Sequence, residues 1–178
     1  MRFLLALLVF LSMSTMAEAA QYFVGIGVAQ NDYADQRHLD NDTMLNGVLG
    51  YQFSDQAAVE LLYGNTDTFY SYTGDMIYYM HHSAEGFRPY VLGGLGVTSQ
   101  EEAGVGNTTL LAVNAGLGLE YLFSSHIRFF TDVRDIYSPS GGKNDGMLNI
   151  GILFSFDRPA PLSVVPQADQ GFYQLEVG

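Results

Sequence analysis

Five charged residues stand out because each lies among apolar or small residues. They are Glu60, Glu120, Arg128, Asp132 and Arg134. Alternate residues of an extended strand share a face, so Asp132 and Arg134 are predicted to point the same way. A turn near 124–125 would place Glu120 nearly opposite Arg128 on that face. The sequence therefore predicts a set of inward charges that pair with one another.

Two interpretations of these charges stay open. The first is an internal gate of ion pairs that controls a narrow pore. The second is structural, because a buried charge left without a partner costs on the order of several kcal/mol. We favour the structural interpretation, because the chain contains eight short segments of β-strand period, which predict a narrow barrel, and narrow barrels are usually filled by their own side chains.

An acidic segment could bind a divalent cation. It contains Asp32, Asp35, His38, Asp40 and Asp42. Carboxylate oxygens suit calcium, but the segment lacks the ligand spacing and turn glycine of a dedicated calcium loop. We interpret it as a solvated acidic loop and predict no metal site.

Glycine pairs such as Gly94 and Gly96, or Gly116 and Gly118, lie inside predicted strands. A dinucleotide-binding glycine motif would have to open a helix. The sequence therefore predicts no bound cofactor.

The elements that position these residues all follow a period of two, which is typical of β-strands. Eight strands are predicted at approximately 22–30, 43–53, 57–64, 72–81, 89–99, 109–123, 127–136 and 147–156. The fourth is apolar on both faces, so its facing is not determined. The connections alternate between long polar loops and short turns, as in bacterial outer-membrane barrels.

The last predicted strand illustrates the two faces. Leu148, Ile150, Ile152, Phe154 and Phe156 form one face, and Asn149, Gly151, Leu153 and Ser155 form the other. A soluble barrel with an apolar lumen would carry many lysines outside, yet Lys143 is the one lysine of the chain. Glycines suit a crowded interior. We therefore predict that the apolar face contacts lipid and that the glycine-rich face lines the lumen.

The first twenty residues form a separate unit. Arg2 is followed by an apolar run and by the small residues of Ala17-Glu18-Ala19, which is typical of a secretory signal peptide. We predict a signal peptide at 1–20, a barrel domain at 21–156 and, at 157–178, either a short Pro-containing periplasmic tail or the start of a linker. After residue 20 no apolar run approaches the about 20 residues of a spanning helix.

Charge and composition exclude some functions. The formal net charge is -12, with 7 Lys and Arg against 19 Asp and Glu, and the chain has no Cys and no Trp. Nucleic-acid binding is disfavoured, because phosphate contacts need a basic surface. No disulfide framework is expected.

Three segments resemble a known family. They are RPYVLGGLG at 88–96, AGLGLEYLFSSHIRFFTDVR at 115–134 and the closing strand. These segments resemble the N-terminal barrel of the outer-membrane protein A and porin F family. Asn149, Gly151, Phe154 and Phe156 are similar to the signal that the outer-membrane assembly machinery reads in a last strand.

The resemblance implies an all-β fold, an eight-stranded antiparallel up-and-down transmembrane β-barrel in the bacterial outer membrane. Both termini would be periplasmic, and the partners would be outer-membrane lipid, lipopolysaccharide and the assembly machinery. Family members often bind peptidoglycan through a second domain. Only a short segment follows Phe156 here, so peptidoglycan binding is not carried over.

Catalysis is not predicted for His81, His82 and Ser83, with Glu85 nearby. A nucleophile needs a base and an orienting group within reach. This segment lies in a predicted periplasmic turn, whereas lipopolysaccharide occupies the opposite leaflet. The expected role is structural or surface-interacting, with weak pore activity as an added property. The alternatives are a narrow porin-type channel for ions or small solutes and, less favoured, a soluble lipocalin-like carrier.

Overall fold

The computed structural model describes residues 21–33, 42–81, 86–102, 106–140 and 142–157. These residues form eight strands and no helix. The strands are β1 (Gln21–Asp32), β2 (Asp42–Ser54), β3 (Ala57–Asn65), β4 (Phe69–Tyr79), β5 (Gly86–Glu102), β6 (Gly106–Leu122), β7 (Ile127–Ser138) and β8 (Lys143–Asp157). In this part of the chain no apolar helix has the length needed to cross a membrane.

The strands close into a barrel in chain order. Each strand is antiparallel to its neighbours, and β1 pairs with β8 through a register that sets Ile26 opposite Ile152 and Val28 opposite Ile150. Closure removes the exposed edges that would otherwise pair with other chains. The predicted all-β, eight-stranded antiparallel barrel is confirmed.

Side chains alternate between the two surfaces of the barrel. The outer surface is apolar along every strand, with Ile26, Leu61 and Ile150 each about 60% exposed. The inner surface combines charged and polar side chains with small and large apolar ones, and in β8 it contains Asn149 and Ser155 as well as Leu153, all buried. Such a molecule exposes its apolar residues and buries its charges, which is the pattern expected for a barrel surrounded by lipid.

Glycine occurs on the inner surface where a large side chain crosses the lumen. A Cβ atom on Gly118 would overlap the ring of Tyr90, and one on Gly50 would overlap the ring of Phe23. In both places the missing side chain makes room for an aromatic ring from an adjacent strand. The predicted crowded interior is therefore built from small residues beside large ones.

The observed strand bounds differ from the predicted ones in two useful places. β4 covers Phe69–Tyr79 instead of about 72–81, and its inner face includes Asp75. β5 begins at Gly86, ahead of the predicted start at Pro89, which brings Arg88 into the barrel. The earlier start of β5 and the facing of β4, which the sequence left undetermined, thus place Arg88 and Asp75 in the lumen.

One hairpin is taller than the others. β5 and β6 pair from Gly86 opposite Leu122 to Glu102 opposite Gly106. β6 pairs with β7 only from Val113 onward. The first seven residues of β6 thus extend beyond the neighbouring strand at the end of the barrel that holds the long connections.

The outer surface gives a first prediction. Ile150→Arg places a charge midway along β8, where the side chain points outward, and should lower the free energy of unfolding in lipid vesicles by about 2–4 kcal/mol. Tyr137→Arg, near the long-connection end of β7, is the control and should cost at most about 1 kcal/mol. Circular dichroism during urea unfolding gives both values. Equal costs would contradict immersion of this surface in hydrocarbon.

Candidate functional site

The lumen contains a cluster of charges near its middle, which we call the mid-barrel cluster: Glu60, Asp75, Asp132 and Arg134. The Arg134 guanidinium donates from Nη2 to Glu60 Oε1 at 2.7 Å, from Nη1 to Asp75 Oδ2 at 2.6 Å and from Nε to Asp132 Oδ1 at 2.7 Å. All four side chains are buried. One guanidinium therefore satisfies three carboxylates.

The strand register explains why Arg134 is needed. Glu60 on β3 lies directly opposite Asp75 on β4, and like charges in that arrangement repel each other. Arg134 lies on β7, four strands away from β3 in the closed order, so its side chain crosses the lumen to reach both acids. The arginine thus ties together opposite walls of the barrel.

Neutral side chains complete the hydrogen bonding of the mid-barrel cluster. Asn149 Nδ2 donates to Asp132 Oδ1 at 2.7 Å, and Tyr90 Oη donates to Asp132 Oδ2 at 3.0 Å. Asn114 Nδ2 donates to Asp75 Oδ1 at 2.8 Å. Asn46 Nδ2 in turn donates to Asn149 Oδ1 at 2.6 Å. Buried carboxylates accept these bonds in place of water.

A second cluster lies toward the short-turn end, and we call it the rim cluster: Arg88, Glu120, Arg128 and Tyr79. Glu120 Oε2 accepts from Arg88 Nη2 at 2.6 Å and from Arg128 Nη1 at 3.2 Å. Tyr79 Oη donates to Glu120 Oε1 at 2.9 Å. The Arg88 guanidinium also lies 3.6 Å from the centroid of the Tyr79 ring. Here two arginines share one carboxylate.

The predicted opposition of Glu120 and Arg128 is wrong in register. Glu120 lies opposite Phe130, and Arg128 lies opposite Leu122. The two side chains still meet, because diagonal neighbours on one face of a hairpin are within reach of a long arginine. β6 ends at Leu122, one residue before its predicted end, while β7 begins at Ile127 as predicted, so the turn is centred on Ser125.

The structure brings the five predicted charges into these two clusters. Glu60, Asp132 and Arg134 lie in the mid-barrel cluster, and the remaining two lie in the rim cluster. Sequence reasoning missed Asp75 and Arg88. Asp75 lies on the strand whose facing was left open, and Arg88 precedes a proline that was taken as the strand start. For Asp75 the sequence did contain a usable signal, because a hairpin of the third and fourth strands would set it opposite Glu60.

The residues of the predicted assembly signal divide between the two surfaces. Asn149 points inward and is bound in the mid-barrel cluster, and a Cβ on Gly151 would approach the Phe130 ring. Phe154 and Phe156 point outward and are exposed. Recognition by the assembly machinery stays a prediction.

The other sequence candidates are not brought together. His81 is exposed at the end of β4, and His82, Ser83 and Glu85 lie outside the described residues. Asp35, His38 and Asp40 of the acidic loop also lie outside them. Within the ranges that the structure covers, no group of three or more His, Cys, Asp or Glu side chains has the geometry to hold a metal ion.

Tyr33 lies just beyond the end of β1, at the long-connection end. Asn31 Nδ2 donates to its hydroxyl at 3.2 Å, and its ring lies 5.0 Å from that of Phe69. Burial, followed by the nearby Asp42 charge, raises the pKa of Tyr33 to about 12. The phenol is therefore neutral at physiological pH. Its ring packs against that of Phe69, and its hydroxyl accepts the hydrogen bond from Asn31.

The mid-barrel cluster gives a second prediction. Arg134→Met leaves three buried carboxylates without their cation and should destabilise the barrel by about 3–5 kcal/mol. Because the chain has no Trp, unfolding is best followed by circular dichroism in detergent micelles. Val133→Ala, on the outer face of the same strand, is the control, because this side chain points away from the lumen and makes no hydrogen bond. In a double-mutant cycle Glu60→Gln should cost less in the Arg134→Met background than in the wild type. Additive costs would contradict a direct coupling.

Comparisons with known proteins support the same architecture. The profile of a family described as outer membrane protein beta-barrel domain matches residues 3–156. No curated protein matches the chain significantly. Several solved structures, among them the following three, are similar to it over about three quarters of its length.

The first is the N-terminal β-barrel domain of Pseudomonas aeruginosa OprF, with 24% identity and a TM-score of 0.61 over 75% of this chain and 97% of that one. The second is Neisserial surface protein A, with 17% identity and a TM-score of 0.56 over 77% and 97%.

The third is Ail, the attachment invasion locus protein of Yersinia pestis, in complex with the heparin analogue sucrose octasulfate. Its identity is 18% and its TM-score 0.54, over 77% of this chain and 99% of that one. At these identities the likeness shows a shared fold. Together with the profile match, the closed barrel confirms the resemblance found in the sequence, and the chain belongs to the outer membrane protein beta-barrel domain family.

Proposed function

We propose that this outer-membrane barrel acts through its anchorage in the membrane and the surface that it displays, with at most weak pore activity. The observation that supports this most is the filled lumen. Arg134 crosses it from β7 to β3, and the rim cluster fills it again nearer the short turns. A solute would have to displace paired, buried charges, which is costly.

The orientation that we propose follows from the two ends of the barrel. Gln21 and Asp157 pair with each other at the end that carries the two-residue β2–β3 turn, and the nine-residue β1–β2 connection at 33–41 lies at the opposite end. Barrels of this class place short turns in the periplasm and long connections outside the cell. Both termini would then be periplasmic, after export directed by a signal peptide at 1–20. The tall β5–β6 hairpin would be displayed outside.

The proposed partners are outer-membrane lipid and lipopolysaccharide. Tyrosine pairs lie on the outer surface toward both ends, with Tyr22 and Tyr51 rings 4.8 Å apart and Tyr63 and Tyr72 rings 4.7 Å apart. Aromatic girdles at both interfaces anchor such barrels. Polyanion binding is not part of the proposal, because the net charge of -12 opposes it.

We do not propose an enzymatic activity. The candidate nucleophile and bases of the sequence are confined to the 81–85 turn, and His81 is exposed. In the proposed orientation this turn faces the periplasm, away from the lipopolysaccharide leaflet. A soluble carrier is not supported, since the exposed surface is the apolar one.

The third prediction separates this function from a narrow channel. In planar bilayers the purified barrel should give at most small, brief current steps, because the two clusters obstruct its lumen. Arg128→Ala and Glu120→Ala should leave the current unchanged if these residues are structural. Large steady openings whose size changes in both variants would contradict the proposal and establish the channel.

The fourth prediction concerns assembly. Phe156→Ser should lower the amount of barrel in the outer membrane several-fold, because it removes the terminal aromatic of the proposed recognition signal. Phe87→Ser is a matched control: this exposed Phe lies beside the short-turn end of β5, outside the signal. Immunoblots of outer-membrane fractions, run with and without boiling, measure both the amount and the folded fraction. Equal losses would contradict a role in recognition.

A further inference from the structure

The Arg128 guanidinium uses only one of its two binding edges. Its Nη1 donates to Glu120 at 3.2 Å. Among the described residues, no hydrogen-bond acceptor lies within reach of its Nε or Nη2, although both nitrogens are buried. Nε and Nη2 form the planar fork with which arginine holds anions by two parallel hydrogen bonds. The residue itself is only 3% exposed.

The surroundings hold this fork in place. The guanidinium lies 4.7 Å from the centroid of the buried Phe23 ring, and its other edge is fixed by the ion pair with Glu120. Leaving a buried charged donor unsatisfied costs more than a neutral one, so a rigid fork favours any acceptor that can reach it. The arginine cannot swing away to find water without losing both contacts.

Other unsatisfied polar atoms occupy the same end of the barrel. Arg88 Nε and Ser155 Oγ are buried, and neither has a partner among the described residues. On β8, Ser155 is the next inward position beyond Leu153, which lies opposite Arg128. Arg88 Nε and Ser155 Oγ are therefore further donors at the same end of the barrel as the fork.

The charge balance of the rim cluster also favours an anion. Arg88 and Arg128 contribute two positive charges against the single carboxylate of Glu120. The three acids of the mid-barrel cluster lie farther along the lumen and reduce this advantage. We therefore expect weak binding. Arg128 is the second residue of β7, so a small ion has a short path to it from the short-turn end.

We propose that the Nε–Nη2 fork of Arg128 binds a small monovalent inorganic anion of the chloride class. Both nitrogens of the fork have almost no accessible surface, so an ion that reaches them must be small. Binding would supply the missing acceptor and neutralise the excess positive charge of the rim cluster. This inference does not depend on whether the barrel conducts ions.

Chloride-35 NMR tests the proposal on the full chain refolded in a zwitterionic detergent. The wild-type protein should broaden the chloride line beyond the detergent control, and bromide should compete for that excess. Arg128→Lys keeps the charge and removes the fork, so we expect about tenfold weaker binding or more. Lys143→Gln removes a positive charge at the far end and should leave the broadening unchanged.

Two outcomes would overturn the site: no excess broadening with the wild type, or equal broadening with Arg128→Lys. If Arg128→Lys loses the heat-dependent gel shift of a folded barrel, wild-type crystals soaked in bromide decide the question. An anomalous peak within hydrogen-bond distance of Arg128 Nε and Nη2 supports the site, and its absence there contradicts it.

Discussion

Pairing of buried charges inside a narrow lumen is the constraint on which the rest of this structure depends. An eight-stranded barrel has room inside for side chains and little else. Inward charges are therefore paired with one another, as Arg134 is with Glu60 and Asp75 across the lumen and with Asp132 on its own strand. The interior glycines have the same cause, because Gly118 leaves space for the ring of Tyr90, whose hydroxyl donates to Asp132. The positions of the lumen charges, the strand register and the positions of the glycines therefore depend on one another.

The outer surface obeys a simpler rule, which explains why the fold could be predicted from the sequence. Alternation in strands such as β8 fixes which side chains face lipid, and a shift by one residue would exchange the two surfaces entirely. Leu148, Ile150 and Asn149 are accordingly placed as predicted. The same rule failed to give a face for β4, because its outward tyrosines and its inward Ile77 and Tyr79 are all apolar or aromatic. Because the facing of β4 was not determined, Asp75 was not predicted to point into the lumen.

The partners within the lumen could not be predicted in the same way. Contacts between strands that are distant in the sequence depend on closure and on the exact hairpin register. The pair formed by Glu120 and Arg128 was reachable because it is local, though the register was misjudged. The link between Arg134 and Glu60 spans 74 residues and joins opposite walls. No periodicity in the sequence carries that information.

Closure of the barrel completes the charge network, and Asn149 shows how. This residue lies on β8, donates to Asp132 on β7 and accepts from Asn46 on β2. Its place between those walls exists only once β8 has paired with both β7 and β1. Before closure Asp132 lacks this donor, and buried polar groups without partners are costly. The last strand therefore does more than seal an edge: its inward face supplies hydrogen bonds to the network, while its outward aromatics face the lipid.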